Sequence, residues 1–192
     1  MLLGNALESN SQRGEAIQVF EACLKQHPDF APAQNYLAYI WAETGQRLEE
    51  AERLVTAALR SEPENYAYLD TLGWVYYQQG RYEDALVWLM RATEGSDRDP
   101  TIFDHIGDTL AKLGRESEST PFWSMSYWLE PENTEVAEKL KRGGVDLAKV
   151  RPPASALAEG EREDSAAQRN RQRDSSARPW RMLEEILNFF DW

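Results

Sequence analysis

A large apolar residue followed by a small one recurs along this chain at a fixed distance, and no other feature constrains the fold as strongly. The pairs are Leu3-Gly4, Leu37-Ala38, Leu72-Gly73 and Ile106-Gly107, so the small residue advances in steps of 34, 35 and 34. A second series, Phe20, Val55, Leu89 and Trp123, advances in steps of 35, 34 and 34. The one extra residue falls between Ala38 and Ala51, which places it in a predicted turn near Gln46-Arg47-Leu48, where an insertion is cheap. Periods of this length mark supersecondary units that cannot bury an apolar face alone and must stack on their neighbours.

The stretch 66–92, YAYLDTLGWVYYQQGRYEDALVWLMRA, is the fullest copy. Its spacing predicts two antiparallel helices. Small residues (Gly4, Ala38, Gly73 and Gly107, with Ala16, Ala51 and Ala85) let backbones approach, and Leu37, Trp41, Leu72, Tyr76, Ile106 and Trp123 fill the gaps. As the middle unit, it should place Leu72, Tyr76 and Leu89 among the most buried residues. Gly45, Gly80 and Gly114 stand where the first helix of a pair should end, because left-handed backbone is cheap for glycine. Pro28, Pro63 and Pro131 should stop the second helix. Unit boundaries fall near 1–30, 31–65, 66–99 and 100–131. The first begins in mid-pattern, without a polar cap, which predicts a fragment or mis-started frame of a longer array. Residues 132–142, with Asn133 or Thr134 as cap, Lys139, Lys141 and Arg142 in the last turn and a thin apolar side, suit a capping helix. The array thus covers 1–142.

Residues 143–178 are rich in Ser, Ala, Arg and Glu with paired prolines, the composition of a disordered linker. Residues 179–192 change character. Trp180, Leu183, Ile186, Leu187 and Phe190 make an apolar stripe at helical spacing behind Pro179, so an amphipathic docking helix is expected.

Charge excludes one class of partner. The chain carries −12 overall. Residues 143–192 hold 9 acids and 8 bases, leaving 24 acids against 13 bases, or −11, on 1–142. Nucleic acid needs a basic surface and is not expected. Cys23 is the only cysteine and falls where the pattern wants a small packed residue. No run is long enough to span a membrane, and the start lacks the form of a signal peptide. Location is left open: cytoplasmic is the expectation from the lack of a signal peptide, periplasmic or envelope if the true N-terminus is missing. No phosphate loop, nucleophile elbow or metal-ligand spacing is present, so no catalytic residue, metal or cofactor is assigned. Asp104-His105-x2-Asp108 lies inside a pattern-fitting helix, and its side chains are expected to face water from the helix surface.

The segments NYLAYIWAE, YLDTLGWVYYQQGRYEDAL and DPTIFDHIGDTLAKLG resemble the repeats of bacterial tetratricopeptide repeat proteins over 1–142. The family pattern is W-x2-L-G-x2-Y…A-x3-F…P, with Leu69 here in place of Trp and Leu89 in place of Phe. The resemblance implies an all-α, right-handed superhelical solenoid of helix-turn-helix repeats. It implies a concave groove that is lined by the first helices, binds a peptide or protein segment and does no catalysis. On that geometry the groove would present Asn35, Tyr39, Asp70, Trp74, Tyr77, Gln78, Asp104, Asp108 and Lys112. These are mostly acidic or aromatic. They suit a basic or aromatic segment, through carboxylate–guanidinium pairs and contacts on Trp74 and Tyr77, rather than a partner's terminal carboxylate. The function expected is a protein-binding scaffold. The tail helix would dock on the chain's own repeats, on another copy or on a partner protein, and its acids disfavour a membrane surface. The alternatives are a self-assembling component whose copies join through that helix, and the regulatory part of a longer repeat protein.

Overall fold

The computed structural model describes residues 2–96 and 98–150. Of the linker expected at 143–178, residues 143–150 are described and carry a glycine turn and a 3₁₀ turn instead; the rest of it and the apolar stripe of 179–192 lie outside the described residues. Eight α-helices occur in order among those described: α1 (Leu2–Gln26), α2 (Ala31–Thr44), α3 (Leu48–Ser61), α4 (Tyr66–Gln78), α5 (Tyr82–Gly95), α6 (Pro100–Lys112), α7 (Glu116–Leu129) and α8 (Thr134–Arg142). A 3₁₀ turn, Leu147–Lys149, follows and lies against α8. None of the described helices is long and apolar enough to cross a membrane.

The turns follow from backbone chemistry. Gly45, Gly80, Gly114 and Gly144 are left-handed, with φ of 64°, 77°, 72° and 77°. After each, the next amide reaches back to a helix carbonyl: Gln46 to Trp41, Arg81 to Tyr76, Arg115 to Leu110 and Val145 to Leu140, at 2.9–3.0 Å. That closure satisfies carbonyls a helix end would otherwise leave bare. At the other ends, Asn65, Asp99 and Asn133 accept from the first free amides of α4, α6 and α8. Each such cap is worth about 1 kcal/mol.

Helix pairing follows the small residues. α2 pairs with α3, α4 with α5 and α6 with α7. A Cβ on Gly73 would stand 2.6 Å from Leu89 Cγ, and one on Gly107 would stand 2.4 Å from Trp123 Cδ1. Leu37, Val55, Leu72, Leu89 and Ile106 are buried around these crossings. Each second helix also packs on the first helix of the next pair, α3 on α4 and α5 on α6. First helices touch one another directly, α2 to α4 and α4 to α6. Contact among the first helices places them on the inner, tighter side of the stack.

Two places differ from the sequence-based expectation. The first unit is not a hairpin: α1 runs unbroken from residue 2 to 26. Ser11 stands where the other units have their turn glycine, so nothing favours a left-handed stop there. Tyr76 is only half-buried, with the Arg81 guanidinium over its ring at 3.9 Å; Arg47 lies over Trp41 in the same way at 4.0 Å, and Trp41 is buried. Arg47 is also the position that absorbs the inserted residue. It is the non-glycine residue with positive φ, 49°, at the N-cap of α3, one residue further from the turn glycine than Arg81 is.

The last helix has two registers. Seven residues after the start of α2, α4 and α6 stand Ala38, Gly73 and Gly107; in α8 that position is Lys141, exposed and paired with Glu138. Val136, Ala137 and Leu140 are buried, and the helix packs on α7.

Candidate functional site

The first helices carry a ladder of polar side chains along their mutual contacts. Its rungs join a residue on one helix to the residue 35 positions on. Asp70 Oδ1 of α4 meets His105 Nδ1 of α6 at 2.9 Å. Asp104 Oδ1 of α6 accepts from Lys139 Nζ of α8 at 2.7 Å. Lys139 also donates to Asp108, 2.8 Å from Oδ2. By helix register the corresponding pair one step earlier is Asn35 and Thr71, 36 positions apart because the inserted residue lies between them, but Thr71 spends its hydroxyl on the Ala67 carbonyl, and Asn35 Oδ1 is buried without a donor.

Aromatic rings brace the middle rung. Trp74 stacks on the His105 imidazole at 3.9 Å and on Tyr77 at 4.4 Å, with planes within 11°. Its indole N–H donates to Glu43 Oε1 on α2 at 2.7 Å. The site therefore ties α2, α4 and α6 together through one residue. Trp123 of α7 makes the matching bond to Asp108 Oδ1 at 3.0 Å.

The electrostatics are those of carboxylates crowded away from water. Asp99, which caps α6, is pushed above the ordinary carboxylate range by burial and by Asp70. Asp104 is raised by burial and by Asp108, against the pull of Lys139. The Tyr39 hydroxyl is raised by burial and then by Glu43, Asp70 and Asp99. Tyr77 is pushed up to about 12 by burial, with Asp108 adding to it. Burial is the largest influence on His105 and opposes its charged form, but the carboxylates of Asp70, Asp104 and Glu43 together outweigh it and the net shift is upward. The balance is the same for Lys139: burial disfavours its charge, and Asp104 and Asp108 more than restore it.

Of the nine residues expected in the groove, Asn35 is buried on α2 and the other eight fall in two groups. Asp70, Trp74, Tyr77, Asp104 and Asp108 are brought together in this network, with Tyr39 at its α2 side. Gln78 and Lys112 lie at the last turns of α4 and α6, half-exposed and exposed. Trp74 is 9% exposed and already stacked, so its ring is a wall of the site and Tyr77 is the more open aromatic. Sequence reasoning missed His105, Lys139, Glu43 and Asp99. His105, expected on a solvated helix face, is 5% exposed. The recurring interval of 35 between Asp70 and His105, and between Asp104 and Lys139, was the signal that could have found both.

Residues 1–52 and 45–100 match a tetratricopeptide repeat family model, 100 of the 192 residues together. The chain belongs to the tetratricopeptide repeat family. Such arrays are right-handed helical solenoids that generally mediate protein–protein contacts as non-catalytic scaffolds. The TPR repeat-containing protein PA4667 of Pseudomonas aeruginosa is 34% identical over 85 residues, 44% of this chain but 14% of that protein. The match thus spans a small part of that relative's length. Among solved structures, PilF of Pseudomonas aeruginosa has 21% identity and a TM-score of 0.58, covering 74% of this chain and 66% of its own. MamA of Desulfovibrio magneticus RS-1 has 17% identity and a TM-score of 0.55, covering 69% and 74%. At these identities the likeness is one of fold: tetratricopeptide repeats stacked as they are here.

Proposed function

We propose that the first-helix face of this array is a groove that holds a protein segment bearing basic side chains, and that the chain acts as a non-catalytic scaffold. One observation carries the reading. The face already seats a lysine: the Lys139 ammonium lies 2.7 Å from oxygens of both Asp104 and Asp108. A carboxylate pair that holds one ammonium in this geometry suits others like it. Further along the same face, Glu43 is exposed and Asp99 is partly so, and they offer charge to a partner. The His105 ring, packed under Trp74 and tied to Asp70, supports the non-catalytic reading.

The test is fluorescence anisotropy with the full chain and labelled peptides of matched length, one arginine-rich, one acidic and one neutral. The arginine-rich peptide should bind tightest and weaken as salt rises, because partly exposed pairs are screened. Equal affinity for all three, or preference for the acidic one, would sink the reading.

A further inference from the structure

The ladder holds a group that can change charge near neutral pH, and it stands in the corner where a basic side chain would be received. We propose that a cationic partner segment and the proton on His105 compete for the same corner of the groove, so that the scaffold holds its partner more tightly as pH rises. The inference rests on the groove reading above and adds proton control to it.

The geometry sets up the competition. Asp70 is the shared acceptor: 7% exposed, it faces His105 across 2.9 Å and lies in the group of carboxylates, with Glu43 and Asp99, that surrounds Tyr39. When the imidazole is protonated, its positive charge is already spent on this corner. When the proton leaves, the neutral ring keeps one hydrogen bond to Asp70, and the corner is more negative by one charge. A guanidinium arriving beside Glu43 and Asp99 is attracted more strongly to the second state. By linkage, the bound guanidinium must lower the proton affinity of His105 by the same factor.

The charges that face the imidazole come from several elements. They are Asp70 of α4, Glu43 of α2, Asp104 of its own helix and Asp99 at that helix's cap. Lys139 of α8 stands behind Asp104 and takes up part of that carboxylate's charge. The carboxylates of α5 and α7 (Glu83, Asp84, Glu94, Glu116 and Glu118) are all exposed. Acids therefore dominate the surroundings of the ring. The upward shift of His105 agrees with this and places the titration at and above the ordinary imidazole range. Arginine stays charged throughout that range, so His105 is the group that changes.

The experiment uses the full chain and the arginine-rich peptide. Its affinity is measured by anisotropy from pH 6 to pH 9 at constant salt, and the His105 ring is titrated by NMR with and without peptide. Affinity should rise at least about fivefold over the interval in which the ring loses its proton, and peptide should lower the ring's midpoint to match. His105→Gln should bind with a flat profile, and Glu43→Gln should bind more weakly at every pH with the slope kept. Affinity that stays flat while the ring titrates, or an unchanged slope in His105→Gln, overturns the competition and leaves the groove intact. Should the peptide fail to bind at any pH, the groove reading falls and the competition falls with it.

Discussion

Gly107→Ala should destabilise the fold, although Ala is the better helix former. An added Cβ would stand 2.4 Å from Trp123 Cδ1 and 2.5 Å from Nε1. Carbon atoms at rest lie roughly 3.5–4.0 Å apart, so the indole must retreat by about 1 Å or more. It is not free to do so, because Nε1 donates to Asp108 Oδ1 at 3.0 Å and Asp108 also holds Lys139. Overpacking costs about 1–3 kcal/mol, and loss of a hydrogen bond to a charged group adds about 1.5–3 kcal/mol. Helix propensity returns about 1 kcal/mol. The net expectation is a loss of about 2–4 kcal/mol. Urea unfolding followed by circular dichroism would show it as a lowered midpoint with unchanged slope. Two companions make the reasoning refutable. Gly14, in the middle of α1, has nothing within 4 Å of an added Cβ, so Gly14→Ala should raise stability by about 0.5–1 kcal/mol. In a Trp123→Leu background, Gly107→Ala should cost little, giving a coupling of about 2 kcal/mol in the double-mutant cycle. If Gly107→Ala is neutral, or costs the same with and without Trp123, the close approach of α6 and α7 is not what that glycine serves.

Three further outcomes are expected. His105→Gln should flatten the pH dependence of stability: the bridge to Asp70 contributes fully below about pH 6.5, the unfolded imidazole value, and fades as pH rises through the higher folded value. Unfolding curves from pH 5 to 9 would check this, and equal slopes in both proteins would refute it. Lys139→Met, which leaves Asp104 and Asp108 facing each other at under a fifth exposure, should cost about 2–4 kcal/mol and loosen α8, visible as faster amide exchange over 134–142. Leu89→Ala should cost about 2–5 kcal/mol by thermal denaturation, since Leu89 is fully buried against Gly73 and nothing nearby can collapse cheaply.

Much of this architecture is legible in the residues because stacking repeats the same demands. Gly45, Gly80 and Gly114 announce the left-handed turns, and Gly73 with Leu89 announces a helix crossing, each through local chemistry that recurs. The first unit misled because Leu3-Gly4 and Ala16 keep the register while Ser11 does not supply the turn; helix-packing positions and turn positions are separate requirements. The polar ladder was harder to see. His105 and Lys139 look like ordinary helix-surface residues in isolation, and their burial depends on a carboxylate 35 positions earlier on a different helix. Single-helix periodicity does not contain that information. The inserted residue at Arg47 falls in the expected turn, but its left-handed backbone and the contacts of its guanidinium with Glu21 of α1 and Trp41 of α2 are not written in the local sequence.

Lys141 bears on how such an array can grow. α8 keeps the first-helix register on the side where Lys139 joins the ladder, so that face could be copied indefinitely. On the side where a partner helix would cross, the alanine or glycine of α2, α4 and α6 has become a lysine paired with Glu138. Tandem duplication of this stretch would therefore extend the groove but stall at helix pairing until one codon changed. Lys141→Gly, with a grafted copy of α7, is the smallest edit that would turn this cap into a repeat.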